Sequence, residues 1–408
     1  MRCLHMVNLD PNCEPGRNHS DFKVGVICTY PPTHCGMARY VYDLCESLAR
    51  FGINVVVFAN EEARSVGSVK VLNAWRYNKV FSAIKAFLEV LKEKVDVVQF
   101  HHEYLLYGSP IKCSLFTILL LLLLKIANKR LIVMLHSVIS RSAITKDFTA
   151  KHGFSKVPTF IISSAVVFLT KFICFMADKI IVYTDLAKYE LCNSYGIPKE
   201  KVTVIPHGSP EAVIVKNAKE KLGLLNKKVL MFFGFLRPQK GLELLAEATL
   251  RAKTAIPNLV LLIVGGRHAR LPDVSSIFDR YPKDFIVLTG YVSEEDLPIY
   301  FSAADAFIFP YEDNILSASG AMYRVLGYGK PIIVTNTPKF YECKKFGAGL
   351  VVPLGDLNAL ANAIISALKD ANSTHSIRRN VLQFYEERRW SKIIMKFIKL
   401  YKRLLIER

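Results

Sequence analysis

The residues best suited to chemistry in this chain sit in short turns, each just after a run rich in Val, Ile and Phe. The turn Gly234-Phe235-Leu236-Arg237-Pro238-Gln239-Lys240-Gly241 follows the run Val229–Phe233 and precedes a helical pattern. Arg237 and Lys240 there can hold a diphosphate by charge-assisted hydrogen bonds, and a helix N-terminus adds partial positive charge. Gly234 and Gly241 permit backbone that a side chain would strain. A second turn, Gln99-Phe100-His101-His102-Glu103-Tyr104, puts two imidazoles and a carboxylate at a strand end. Such groups hydrogen-bond hydroxyls and polarise a reacting centre; the plainer alternative is a histidine pair satisfied inside the fold. His136, after Leu135, divides evenly between ligand contact and a structural bond. In Tyr30–Ala38, Pro31-Pro32 turns the chain and Gly36 lets a ligand approach a helix N-terminus, unless this is an ordinary strand-to-helix turn. Phe309-Pro310-Tyr311-Glu312-Asp313-Asn314 leads into Ser317-Ala318-Ser319-Gly320. Its N–H groups and hydroxyls can cradle phosphate oxygens or simply cap a helix. His207-Gly208 reads as a hinge.

The elements that must position these turns follow from the apolar pattern. Runs at Lys23–Cys28, Asn54–Phe58, Val95–Phe100, Arg130–Leu135, Lys179–Tyr183 and Val202–Ile205 alternate with stretches long enough for helices. The pattern pauses, then restarts at Val229–Phe233, Val260–Val264, Phe285–Leu288, Ala306–Phe309, Pro331–Val334 and Gly349–Val352. Buried parallel strands joined by crossover helices read this way. The fold class is therefore α/β, with two doubly wound Rossmann-like domains facing across a cleft. The expected divisions are a loose leader over 1–20, a first domain over 21–206, a linker over 207–227 and a second domain over 228–375. Helices over 376–408 are expected to cross back to the first domain. Ligands of such sheets bind beyond the carboxyl ends of the strands, where the turns above lie.

The 408 residues carry a formal charge of +19, spread almost evenly over both halves. That balance suits anionic partners (phosphate groups, an anionic membrane face, nucleic acid) or serves solubility alone. No basic-aromatic cluster supports specific nucleic-acid binding. Nine cysteines without CxxC spacing argue against a disulfide framework or zinc site and fit a reducing cytoplasm. Residues 1–20 lack the apolar core of a signal peptide. The stretch Leu115–Leu124 is too short to span a bilayer; Val157–Met176 is long enough but carries Lys171 and four hydroxyl residues. Both are expected as buried or interfacial helices, and attachment at the cytoplasmic membrane face through such a helix is compatible with the charge.

Together the pieces resemble the retaining GT-B glycosyltransferases of family 4, over roughly residues 22–400. The carriers are YPPTHCGMARYVYDL, DVVQFHHEYLLYG, SYGIPKEKVTVIPHG, GFLRPQKG, LTGYVSEEDLPIYFSAADAFIFPY, SASGAMYRVLGYGKPIIVT and GAGLVVPLGD, in that order. The resemblance implies a nucleotide-sugar donor held by the second domain and an acceptor held by the first; the charge and the apolar helices favour a glycan or lipid-linked acceptor. It also implies retention of anomeric configuration and no bound metal or other cofactor. Lys240, with an arginine nearby, would contact the donor diphosphate. His102 or His101 would contact the transferred sugar, and the Gly36 loop would close over phosphate or acceptor. The other positions expected around the donor are Glu103, His136, Gly234, Glu312, Asp313, Ser317, Ser319 and Gly320.

Two departures stand out. Many members place Arg directly after the first glycine of the phosphate turn, where this chain has Phe235; Arg237 is the expected substitute. Many also carry two glutamates, one for the sugar and one for the ribose, where this chain has Leu316 and Arg324. Glu312 or Asp313 is the carboxylate left to reach the sugar. Besides hexose transfer, the sequence is compatible with a nucleotide-sugar epimerase of the same fold and with a non-catalytic sugar- or phosphate-binding subunit.

Overall fold

The computed structural model describes residues 22–151, 153–267 and 274–407. The expected leader, residues 1–20, lies outside the described residues. The first half runs β1 (Lys23–Ile27), α1 (Gly36–Arg50), β2 (Asn54–Asn60), β3 (Lys70–Trp75), α2 (Ser82–Lys92), β4 (Val97–His102), α3 (Pro110–Ile126), β5 (Arg130–Leu135) and β6 (Ser137–Val138). It continues through α4 (Lys146–Lys151), α5 (Thr159–Met176), β7 (Lys179–Val182), α6 (Asp185–Tyr189) and β8 (Val202–Val204). The second half has α7 (Ala218–Lys221), β9 (Lys228–Phe233), α8 (Leu242–Ala255), β10 (Leu259–Val264), β11 (Ile286–Leu288), α9 (Leu297–Ala303) and β12 (Ala306–Phe309). Then come β13 (Leu316–Ser317), α10 (Gly320–Val325), β14 (Ile332–Thr335), α11 (Tyr341–Lys345), β15 (Leu350–Val352), α12 (Leu357–Lys369), α13 (Ala371–Arg388) and α14 (Trp390–Ile406).

Seven strands form one parallel sheet in the order β3-β2-β1-β4-β5-β7-β8, and six form another in the order β11-β10-β9-β12-β14-β15. Val- and Ile-rich strands are buried because helices cover both faces, which is why they read as continuous apolar runs rather than alternating ones. Strand order reverses between β1 and β4 in the first sheet and between β9 and β12 in the second. The four turns that follow these strands begin at Cys28, Glu103, Gly234 and Pro310, so the candidate residues leave the sheets at their switch points. The edge strand β3 and the short strands β6 and β13 were not expected from the sequence. The last two pair with each other, Leu316 with Val138 and Ser317 with Ser137, in an antiparallel ladder that joins the two halves.

The chain crosses between the halves twice, at adjacent places. Ser209 donates its N–H to Arg388 O at 2.6 Å, and Trp390 donates its N–H to Ser209 O at 3.3 Å. A Cβ on Gly208 would meet the Trp390 ring at 2.3 Å, so only glycine lets these crossings pack. After the second crossing α14 enters the first core, burying Ile393, Ile394, Phe397 and Tyr401. Its apolar residues recur at helical spacing and face α1.

Candidate active site

The turn after β9 is built by its glycines. Gly234 has φ +135° and Gly241 φ +64°, both in the region that favours glycine, and a Cβ on Gly241 would lie 2.0 Å from Pro310 O. The chain therefore folds tightly against the turn after β12 and delivers Lys240 onto Tyr311, with Nζ 3.3 Å from the ring centroid. Burial, then the neighbouring cations Lys339 and Arg237, push the Lys240 ammonium well below its ordinary range. Burial also lowers Arg237, which feels Cys35 and Glu103 of the first half. Its Nε is buried and has no hydrogen-bond partner. Lys339, in the turn after β14, lies 2.9 Å from the Asp313 carboxylate. Three cations thus crowd one spot facing the first half, with Asp313 as their close acidic partner.

Glu103, at the end of β4, faces them from the other side. It accepts from Ser137 Oγ at 2.6 Å and from Tyr104 N at 3.2 Å. Burial raises its carboxyl above the usual range, against the lowering pull of these bonds and of Lys339 and Arg237. Gly36 opens α1 with nothing within 4 Å of the place a Cβ would take, and no side chain caps that helix. The α1 N-terminus therefore presents N–H groups to solvent-sized space near Arg237's neighbour Cys35.

The structure brings together Arg237, Lys240, Asp313 and Glu103, with the Gly234 and Gly36 turns beside them. It does not present the histidines in the way expected. His101 is fully buried, with Nε2 2.8 Å from Gln99 Nε2 and Nδ1 2.8 Å from His136 Nε2. His136 Nδ1 lies 2.7 Å from Tyr183 OH. Tyr401 donates to Gln99 Oε1 at 2.6 Å, so the Gln99 amide must donate to His101. That fixes the tautomers along the series: His101 Nδ1–H donates to His136, and His136 Nδ1–H donates to Tyr183. Both rings are neutral, burial lowering His101 to about 3 and His136 well below the histidine range. Their work is to tie α14 to the first sheet. His102 points the other way, under α3, with Nδ1 3.5 Å from Thr117 Oγ1 and Nε2 unpartnered. It is 1 % exposed, so neither histidine reaches the groove surface in this arrangement.

The serine-glycine stretch is also committed elsewhere. Ser317 lies in the ladder with Ser137. Ser319 caps α10, accepting from Met322 N, and donates to Tyr311 OH at 3.4 Å. A Cβ on Gly320 would lie 3.3 Å from His207 Nε2, so this glycine packs on the hinge. His207 itself stacks on Tyr323 at 4.7 Å and meets Tyr40 at 4.8 Å, touching both halves. Glu312 is exposed in a cleft with Glu243 and Arg280, its Oε1 3.5 Å from the place a Cβ on Gly241 would take. Of the two carboxylates expected to reach the sugar, Asp313 is the one that pairs with Lys339.

Both positions that depart from the family pattern lie on the seam between the halves. Leu316 is buried in the first core. Arg324 makes a double hydrogen bond to Glu294, which also holds Arg39 of α1 at 3.2 Å. Nearby, His34 of the Gly36 turn stacks on Tyr291, centroids 4.0 Å apart and planes 9° apart. Sequence reasoning missed Lys339, although its place just after a strand, in Thr337-Pro338-Lys339, satisfies the same rule that picked out the other turns.

Comparison with known proteins agrees with this architecture. The family described as "Glycosyltransferase Family 4" matches residues 35–211, and that described as "Glycosyl transferases group 1" matches residues 227–370. O-antigen chain mannosyltransferase B of Escherichia coli is 24 % identical over 238 residues, which cover 56 % of this chain and 61 % of that protein. O-antigen chain mannosyltransferase C of Escherichia coli is 22 % identical over 383 residues, covering 88 % of this chain and 91 % of that protein. Against three relatives, the first of these among them, the chain covers only 45, 61 and 60 % of their own length. Among solved structures, sucrose-phosphate synthase from Thermosynechococcus elongatus superposes with TM-score 0.74 at 20 % identity, covering 95 % of this chain and 100 % of that one. Anabaena HepE in complex with UDP-glucose gives TM-score 0.70 at 15 % identity, covering 94 % of this chain and 100 % of that one. These two likenesses show the two-domain fold.

Proposed function

The chain belongs to the family 4, group 1 glycosyltransferases of GT-B fold, and from that premise we propose that it transfers a hexose, glucose or mannose, from a nucleotide-sugar to a glycan acceptor. The observation that carries the reading is the crowding of Arg237, Lys240 and Lys339 at the switch point of the second sheet. Like charges held this close cost free energy until an anion joins them. A nucleoside diphosphate brings such charge, and more of it develops there as the sugar leaves.

In this reading the donor diphosphate lies on Lys240 and Arg237, with Lys339 shared between it and Asp313. The bond from anomeric carbon to phosphate oxygen breaks as a bond to the acceptor oxygen forms on the same face, so configuration is retained. The acceptor proton passes to the departing phosphate oxygen, and nucleoside diphosphate is released. Cations fixed in place before the bond breaks stabilise the developing charge without reorganising. They supply charge that a metal would otherwise bring, so the reading is of transfer without a metal. Glu103 and Asp313 are the carboxylates to which this reading gives the sugar hydroxyls. The names of relatives that transfer mannose and of a neighbour solved with UDP-glucose support a hexose donor.

Incubation with donor labelled in the sugar tests this directly. A new glycosidic product together with nucleoside diphosphate is expected. An altered but free nucleotide sugar would instead establish an epimerase, and tight binding without turnover a non-catalytic subunit.

A further inference from the structure

One face of the first half lies apart from the cation cluster and is apolar beyond what a monomer needs. Helices α2, α3 and α5 lie side by side there. Each buries one side and turns a second apolar stripe outward. On α3 the stripe is Ile111, Leu115, Leu122 and Ile126, with Ile111 71 % and Ile126 81 % exposed. On α5 it is Ile161, Phe168 and Phe175, spaced by seven, with Phe160 beside them and Phe175 73 % exposed. On α2 it is Ile84 and Leu88. Rows at such spacing stay in register along neighbouring helices, so the stripes merge into one surface. Extended apolar surface of this kind marks an interaction site.

The charges identify what covers it. Lys85, Lys112 and Lys171 are exposed among the apolar stripes, one on each helix. Neither α3 nor α5 contains an Asp or Glu. We propose that this face docks onto an anionic lipid bilayer, with the apolar residues entering the interface and the lysines meeting acidic headgroups. A second copy of the chain fits poorly. A two-fold contact would gather the lysines of both copies in one apolar interface, with a single half-buried acid per copy on these helices, Glu89 of α2. Spanning the bilayer fits poorly too. The α5 helix is long and apolar enough, but 28 % of it is buried against the fold, through residues such as Leu169, Ile173 and Cys174. Pulling it across a membrane would strip cover from α3 and β5.

The face also reaches the groove. The α3 helix starts beyond the carboxyl end of β4, and Cys113 in its first turn donates Sγ–H to Glu103 O at 3.4 Å, so that turn lies at the groove rim. On the reading that the groove transfers a sugar, docking would set its mouth at the headgroup layer, where a lipid-borne acceptor would present its hydroxyls.

Vesicle co-sedimentation of the full chain tests the docking independently of transfer. The probes are phosphatidylcholine vesicles with and without phosphatidylglycerol. Binding is expected only with the anionic lipid. Combined Lys85→Glu, Lys112→Glu and Lys171→Glu should weaken it roughly a hundredfold or more. Combined Phe160→Ser, Phe168→Ser and Phe175→Ser should abolish it, with both variants keeping the wild-type melting temperature and turnover on a soluble acceptor. No sedimentation, or equal binding to neutral vesicles, overturns the proposal. So does a wild-type dimer in analytical ultracentrifugation that the Phe variant dissolves. Binding that survives in the Phe variant and vanishes on deletion of residues 1–21 places the contact elsewhere and overturns it as well.

Discussion

Arg39 and Glu294 meet across the groove, guanidinium to carboxylate at 3.2 Å, and the same carboxylate is held from its own side by Arg324. Arg324 stands where many family members have a ribose-binding glutamate. Here it orients the acid that joins the halves, while Leu316, at the other glutamate place, fills the first core. The two departures therefore act on the seam rather than leaving a gap in it.

Removing the shared acid should loosen this contact. Glu294→Ala leaves Arg39 and Arg324 facing each other, with Arg324 only 16 % exposed. The expected cost is about 1 kcal/mol of closure, since the pairs are partly solvated. Faster amide hydrogen exchange at Ser137, Val138 and Ser317, with an unchanged global melting temperature, would show it. Exchange identical to wild type would mean the ladder closes without this ion pair.

The phosphate turn should be exacting. Arg237→Ala removes the cation whose Nε is buried and unpartnered, and turnover should fall on the order of 10²–10³-fold. Lys339→Ala should fall less, because that ammonium is already shared with Asp313. Steady-state rates with saturating donor separate the two, and equal small losses would remove Arg237 from the reacting centre.

Acid should unfold the protein through its buried histidines. Burial lowers His102 and His207 to about 4, from 6.5. Between those values the unfolded chain binds more protons than the folded one, so stability is complete above about pH 6.5 and is lost as pH falls toward about 4. Each ring contributes up to about 3 kcal/mol to that loss. Urea midpoints measured across this window should decline steadily, and His207→Asn, which keeps a donor for Gly208 O, should flatten part of the slope. A wild-type midpoint independent of pH there would contradict the assignment.

A buried ion pair should hold the second crossing. Glu342 accepts from Arg388 Nη2 at 2.7 Å and from Tyr323 OH at 2.5 Å, and both Glu342 and Arg388 are 8 % exposed. Glu342→Ala strands the guanidinium and should cost about 3–5 kcal/mol in chemical denaturation. A loss below about 1 kcal/mol would mean that Arg388 finds another partner or water.

The buried strands were legible because helices cover both faces of each sheet, which leaves continuous runs of Val and Ile. The phosphate turn was legible because glycine and paired cations after a strand have few other uses. The edge strand Lys70–Trp75 was not, since its half-exposed residues make no such run. Nor were Ser137–Val138 and Leu316–Ser317, which are strands only because the halves dock. The histidines show a different limit. A strand alternates its faces, so His101 and His102 necessarily point apart, but which face met a helix and which met Gln99 and His136 depended on the packing. Arg324 was visible as a departure, while its partner Glu294, in another turn, was not.

The central claim is that Lys240 and its neighbours receive a nucleoside diphosphate. A thermal-shift panel of UDP-glucose, GDP-mannose and ADP-glucose on wild type and on Lys240→Ala tests it most directly, because a ligand that binds only the folded state raises its melting temperature. At least one donor should raise the wild-type temperature, and that rise should vanish in Lys240→Ala while the unliganded temperatures agree. A rise of equal size in both proteins, or none with any donor, would contradict it.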